Sequence, residues 1–187
     1  MKELRSPLDE TAVRRLKIGE IVYLSGGVIT GRDGMHIRAI EHSRSGKPVP
    51  EGIKGSVLFH CGPIVEKEGN GWKVIAAGPT TSARMDALGP EMIRRFGIRA
   101  VIGKGGMSKE IGDAMREVGC VYLAAVGGTA VSIAESVAEV CGVEWEDLGM
   151  AEAVWSFRMD RMGPLVVAMD SEGGCLYEDI RSKLVRY

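Results

Sequence analysis

The short apolar runs along this chain are punctuated by glycine, and that punctuation limits the fold more than any other feature. Gly26-Gly27, Gly31, Gly62, Gly78, Gly103 with Gly105-Gly106, and Gly127-Gly128 each follow an apolar stretch. Glycine at the end of a strand permits a positive φ or lets a ligand come close to the backbone. A short apolar run, a glycine turn and then apolar residues at helical spacing describe a strand–turn–helix unit. Repetition of that unit argues for an α/β fold with a largely buried sheet.

Residues 7–17 read as a short helix capped by Asp9, with Val13, Leu16 and Ile18 as its apolar positions. Residues 21–25 read as a strand that ends in the Gly26-Gly27 turn, and a helix is expected over 33–42. The turn-rich stretch 43–55 reads as a loop or flap. Strands are expected at 56–60 and 73–77, then a helix over 82–96 carrying Met85, Leu88, Met92, Ile93 and Phe96 at helical spacing. A strand at 99–102, a helix at 108–118, a strand at 121–126 and a helix at 129–140 continue the pattern. Strands at 152–159 and 164–169 and a terminal helix at 176–185 complete it. The turn-rich opening third points to a mixed sheet with an irregular first portion, and 187 residues suit one domain, residues 1–187.

Bulk properties narrow the partners. The formal net charge is −1, so no long-range field recruits nucleic acid or an anionic membrane, and anion recognition must be built locally. The polar N-terminus lacks the apolar core of a secretory signal. The longest apolar runs, such as 121–126, fall far short of the roughly 20 residues a spanning helix needs. A cytoplasmic location is expected. Cys61, Cys120, Cys141 and Cys175 show no close pair, so they read as buried or incidental thiols, not as ligands of a metal on this chain. The ten methionines read as core filler.

Three junctions add cations or hydroxyls to the glycine. In the first, Thr30-Gly31-Arg32-Asp33-Gly34-Met35-His36, Arg32 stands at a helix start, where free N–H groups favour an anion. Asp33 there either orients the guanidinium or caps the helix; the simpler reading is a cap beside a surface arginine. In the second, Gly78-Pro79-Thr80-Thr81-Ser82-Ala83-Arg84, three hydroxyls exceed what a cap needs. Arg84 one turn on could return its fork to the same point. In the third, Gly103-Lys104-Gly105-Gly106-Met107-Ser108, the spacing fits neither phosphate-binding fingerprint. A lysine between glycines after a buried strand nevertheless suits the carboxyl edge of an open sheet. His36 would face the Arg32 loop, and His60 follows a strand; each is more often structural than catalytic. Gly127-Gly128-Thr129 is a further anion nest or simply a helix start.

Together TGRDGMHIR (30–38), GPTTSARMD (78–86) and IGKGGM (102–107), in this order, resemble the β-subunit, or C-terminal domain, of class I fumarases and L(+)-tartrate dehydratases. SPLDETAVRRLKIGEIVYLSG before them and GMAEAVW after them fit the same pattern, so the resemblance covers nearly the whole chain. It departs from the family at Gly34-Met35 and Ile37, where small residues and a lysine usually surround the histidine.

The resemblance implies a swivelling β/β/α domain with a mixed sheet flanked by helices. It implies a partner α-subunit whose three cysteines hold a [4Fe–4S] cluster, in an α2β2 assembly, while this chain binds no cofactor of its own. It places Arg32, Thr80, Thr81, Arg84 and Lys104 on a small dicarboxylate, with Asp33 and His36 beside them. The expected activity is reversible hydration of fumarate to malate. The alternatives are L(+)-tartrate or another 2-hydroxy diacid as substrate, or a non-catalytic module that binds a small anion. Taking a proton from carbon next to a carboxylate builds charge on that carboxylate, which fixed cations stabilise more in the transition state than in the ground state. Thr80, made acidic by neighbouring cations, is the expected base, with a base from the partner as the alternative.

Overall fold

The computed structural model describes residues 1–184. Along the chain run β1 (Lys2–Ser6), α1 (Glu10–Arg14), β2 (Ile21–Thr30), α2 (Asp33–Arg44), β3 (Val57–Phe59), β4 (Ile64–Glu68) and β5 (Gly71–Ala76). Then come α3 (Gly89–Phe96), β6 (Ala100–Gly103), α4 (Lys109–Val118), β7 (Val121–Ala124), α5 (Ala130–Glu135), β8 (Val137–Glu144), β9 (Val154–Met169) and α6 (Leu176–Leu184). Asp9 caps α1 as expected, accepting the Ala12 amide at 2.7 Å. Val185, the last residue of the expected terminal helix, lies outside the described residues.

The architecture is mixed α/β. Strands β2, β3, β6 and β7 are parallel and adjacent in that order. β9 then runs antiparallel to both β7 and β2, so the sheet partly closes into a barrel, with β1 and β8 as outer strands. The short parallel strands explain their unbroken apolar runs. Val57, Phe59, Ala100, Ile102, Val121 and Leu123 point into the barrel core, while Leu58, Val101 and Tyr122 alternate toward the layer of α2, α3 and α4. Both faces are buried, so both sets must be apolar. Met35 and Ile40 of α2, Met92, Ile93 and Phe96 of α3, and Ile111 and Met115 of α4 complete that second core. No helix among the described residues is long and apolar enough to cross a membrane.

Four expectations are corrected. Gly26-Gly27 is not a turn, because β2 continues through the pair to Thr30, with register shifts against β9 on either side of Leu24. The expected 82–96 helix is a 3-10 turn, Ser82–Met85, followed by α3, since Pro90 in the first turn starts a helix afresh. The segments expected as separate strands at 152–159 and 164–169 are one strand, β9. The expected 129–140 helix stops at Glu135 as the short α5, and residues 137–140 belong to β8. Val137, Val140 and Val143 recur every third residue, which imitates helical spacing. In the structure, bulges between Val137 and Glu139 and between Val140 and Gly142 each add a residue, so all three valines reach the same core.

The β4–β5 hairpin was read only in its second strand. It rises on a neck closed by the Cys61–Pro79 bridge and by the Thr80 amide bonding the His60 carbonyl at 2.7 Å.

Candidate functional site

Parallel strands share one carboxyl edge, and the loops that leave it carry the cations. Arg32 follows β2, His60 and Cys61 follow β3, and Lys104 follows β6. The segment 79–82 returns to this edge and inserts between the continuations of β3 and β6. The Lys104 amide donates to the Thr80 carbonyl at 3.2 Å, and the Ser82 amide donates to the Lys104 carbonyl at 3.0 Å. A short parallel bridge thus joins Thr81 to Lys104. Backbone hydrogen bonds therefore fix Thr80, Thr81 and Lys104 side by side. Thr80 is half-buried, while Thr81, Arg84 and Lys104 are exposed. Thr81 is the N-cap residue of the 3-10 turn yet makes no side-chain capping bond, so its hydroxyl is not spent on the helix start.

Arg84 reaches back across the edge to α2, where its Nη2 donates to Asp33 Oδ2 at 2.8 Å. An exposed pair like this contributes about 0–1 kcal/mol to stability, so its importance is geometric: it aims the guanidinium. The expectation that Asp33 orients Arg32 or caps α2 is corrected on both counts. Arg32 is the N-cap residue and is extended (φ −127°, ψ −159°), so its side chain leaves in a different direction from that of helical Asp33. Glu152 stands in both places, as the acceptor at the start of α2 and as the charge facing Arg32, whose Nε makes no hydrogen bond. Its Oε2 accepts the Gly34 amide at 2.8 Å, and its Oε1 lies 3.3 Å from Arg32 Nε. A Cβ at Gly62 would come within 2.7 Å of Arg32 Nη1, so glycine there leaves the slot in which the guanidinium rests.

His36 does not reach the exposed surface. Its ring is 1% exposed, and Nδ1 lies 2.8 Å from the Arg32 carbonyl; a carbonyl only accepts, so Nδ1 carries the proton. Burial is the main reason its pKa falls from 6.5 to about 4, with the Arg32 carbonyl and Asp33 opposing the shift. His60 is equally buried and its pKa also falls, through burial first and the neighbouring His36 second. Burial pushes the Cys61 thiol up to about 12 and raises that of Cys120 as well, so neither is a ready nucleophile or ligand. Cys141 is exposed and Cys175 half-buried. No group of three or more His, Cys, Asp or Glu among the described residues could hold a metal ion. Gly127 and Gly128 lead into α5, with the Thr129 hydroxyl donating to the Val126 carbonyl at 2.6 Å.

The structure thus gathers Arg32, Asp33, Thr80, Thr81, Arg84 and Lys104 on one edge, with His36 beneath them. The family model described as Fumarase C-terminus matches residues 2–180. The chain belongs to this family. Similar members include a Methanocaldococcus jannaschii protein provisionally named L(+)-tartrate dehydratase subunit beta, 43% identical over 95% of this chain and 91% of that one. The Escherichia coli L(+)-tartrate dehydratase subunit beta is 37% identical over 94% of this chain and 86% of its own. A Geobacillus stearothermophilus protein provisionally named fumarate hydratase class I is 42% identical over 95% of this chain, which spans 34% of its length.

Within this fumarase C-terminus fold, Glu152, Ser82 and Tyr122 escaped the sequence reading as site residues. Glu152 stood inside GMAEAVW without an assigned role, and Ser82 was the third hydroxyl of a run already too rich for a cap. Tyr122 carried no signal, since it sits in an apolar strand.

Proposed function

We propose that this chain is the β-subunit of an iron–sulfur-dependent hydro-lyase, working with a cluster-bearing α-subunit in an α2β2 assembly in the cytoplasm. It catalyses the reversible hydration of fumarate to malate. The observation that carries the reading is the convergence of Arg32, Arg84 and Lys104 on one sheet edge, beside two threonines set by backbone bonds. Three cations suit two carboxylates, and Arg84 and Arg32 are each aimed by a carboxylate of their own.

In the dehydration direction the C–H proton next to a carboxylate goes to a base, and the hydroxyl leaves with a proton as water. Charge builds on the carboxylate as that proton departs, and cations already in place stabilise it without reorganising. We assign that proton to Thr80, half-buried and adjacent to the lysine loop: its oxygen, ionised beside the cations, takes the proton up and becomes the neutral hydroxyl. The cysteines of this chain do not fit a cluster, so we assign it to the partner, where it would supply a Lewis acid for the leaving hydroxyl.

L(+)-tartrate is the second reading, favoured by the relatives that carry that name as separate β-subunits of similar length. Anaerobic reconstitution with a cluster-bearing α-subunit decides between them. The expected result is fumarate formed from malate. Oxaloacetate from tartrate at a higher kcat/KM would move the assignment to the second reading. No complex and no turnover of either diacid would sink the enzyme reading and leave a small-anion-binding module.

A further inference from the structure

A polar chain runs under the exposed edge, and none of the surface chemistry uses it. The Tyr122 hydroxyl on β7 donates to Ser82 Oγ at 3.1 Å, and Ser82 Oγ lies 2.9 Å from His60 Nδ1. The His60 ring stands edge-on to His36, with centroids 5.3 Å apart, and His36 Nδ1 donates to the Arg32 carbonyl at 2.8 Å. Tyr122 and Ser82 are 0% exposed and both histidines 1%. A buried hydroxyl needs an acceptor for its hydrogen, and His60 Nδ1 is the acceptor within reach of Ser82, which already receives from Tyr122. His60 therefore carries its proton on Nε2. Both rings are neutral, and burial keeps them so.

The chain touches every loop of the site. One end holds the carbonyl of Arg32. The other holds Ser82, whose amide bonds the Lys104 carbonyl two residues beyond Thr80. Ser82 also presses on the residue before Lys104: a Cβ at Gly103 would sit 1.9 Å from Ser82 Oγ. Two hydrogen-bonded arms, Tyr122–Ser82–His60 and His36–Arg32, meet at the contact between the two rings, and buried polar groups satisfied in this way hold the elements they join in one arrangement. We infer that His36, His60, Ser82 and Tyr122 form a neutral buried brace that sets the separation between Arg32 and the Thr80–Thr81–Lys104 group. This rests on reading the edge as a diacid site. They are positioning residues, since none of them reaches the surface a substrate would touch.

His36→Leu and His36→Asn test the brace in the assembly reconstituted with the cluster-bearing subunit. Leucine fills the space without the bond; asparagine places an amide N–H where Nδ1 stood. A displacement of about 1 Å at a reacting centre can cost about 100-fold, so His36→Leu should lower kcat/KM by about 30-fold. His36→Asn should recover to within about threefold of wild type. Unchanged activity in His36→Leu, or His36→Asn no better than His36→Leu, overturns the brace. If His36→Leu does not fold, Tyr122→Phe, which removes one oxygen, should lower kcat/KM by about threefold to tenfold, and no change overturns the proposal. If the wild-type assembly shows no turnover, the diacid reading fails by itself. The brace is then decided by amide hydrogen exchange on the chain alone. His36→Leu should speed exchange at Ser82 and Lys104 by about tenfold or more, and acceleration confined to α2 overturns it.

Discussion

The two halves of the barrel solve different problems. In the parallel half, β2, β3, β6 and β7 are joined through β3 and β6, strands of three and four residues, and their shared edge holds all three candidate cations. In the antiparallel half, β8 and β9 are long, bulged and wrapped around the core, and they bring one residue to the site, Glu152, just ahead of β9. Short parallel strands give a sharp edge where loops must emerge together. Long bulged strands give closure, because each bulge bends the strand and strengthens its twist. Chemistry and closure are thus assigned to different strand pairs, and they should fail separately.

The largest expected effect lies on the closure side. Phe157, 1% exposed where β9 meets both β2 and β8, should cost about 3–5 kcal/mol of stability when changed to alanine. Turnover per folded molecule should stay unchanged. A matching loss of specific activity, measured on protein shown folded by circular dichroism, would break the division. On the edge the opposite holds. Lys104→Ala should leave the melting temperature within a few degrees and reduce kcat by about 100- to 1000-fold in the reconstituted enzyme.

A third expectation concerns acid. The His36 pKa lies at about 4 in the fold and near 6.5 when unfolded, so between those values the unfolded chain binds the extra proton. Stability should be flat above about pH 7 and fall as pH drops from 6.5 toward 4, by up to about 1.4 kcal/mol per unit from this group. Asp33 works against the fall and His60, shifted in the same direction, adds to it. Denaturant melts across that range check it, and a melting curve indifferent to pH there would contradict a neutral histidine pair. The smallest effect sharpens the comparison at its one crossing point. Glu152→Gln keeps an acceptor for the Gly34 amide and loses the charge facing Arg32, so kcat/KM should drop by about tenfold or less with stability nearly unchanged.

The same division governs how much was legible in the sequence. In the parallel half β3, β6 and β7 could be read because burial on both faces makes them continuous apolar runs, whereas β2 was cut short at Gly26-Gly27. Arg32, Thr80, Thr81, Arg84 and Lys104 stood out there as candidates because glycine, hydroxyl and cation are placed together, and the fold brings their loops to one edge. The antiparallel half misled where bulges reset the alternation: Val137 and Val140 fell inside an expected helix, and in β8 a bulge between Val137 and Glu139 sets their three-residue spacing. Which carboxylate serves which arginine was also hidden. Sequence adjacency favoured Asp33 for Arg32, whereas the pairing is set by the turn into α2 and by a residue 120 positions away, Glu152. Ser82 and Tyr122 were illegible for a related reason, since a buried hydroxyl acquires its role only from what packs against it.

The hairpin carried on the Cys61–Pro79 neck has a practical consequence. Its tip, Gly69-Asn70, is exposed, while Val65, Trp72 and Val74 below it pack on the barrel core. Loop closure grows only logarithmically with length, about 0.6 kcal/mol per doubling. A fluorophore or affinity tag spliced in at that tip should therefore ride on the folded protein as a passive handle, leaving the arginines and the lysine where they are.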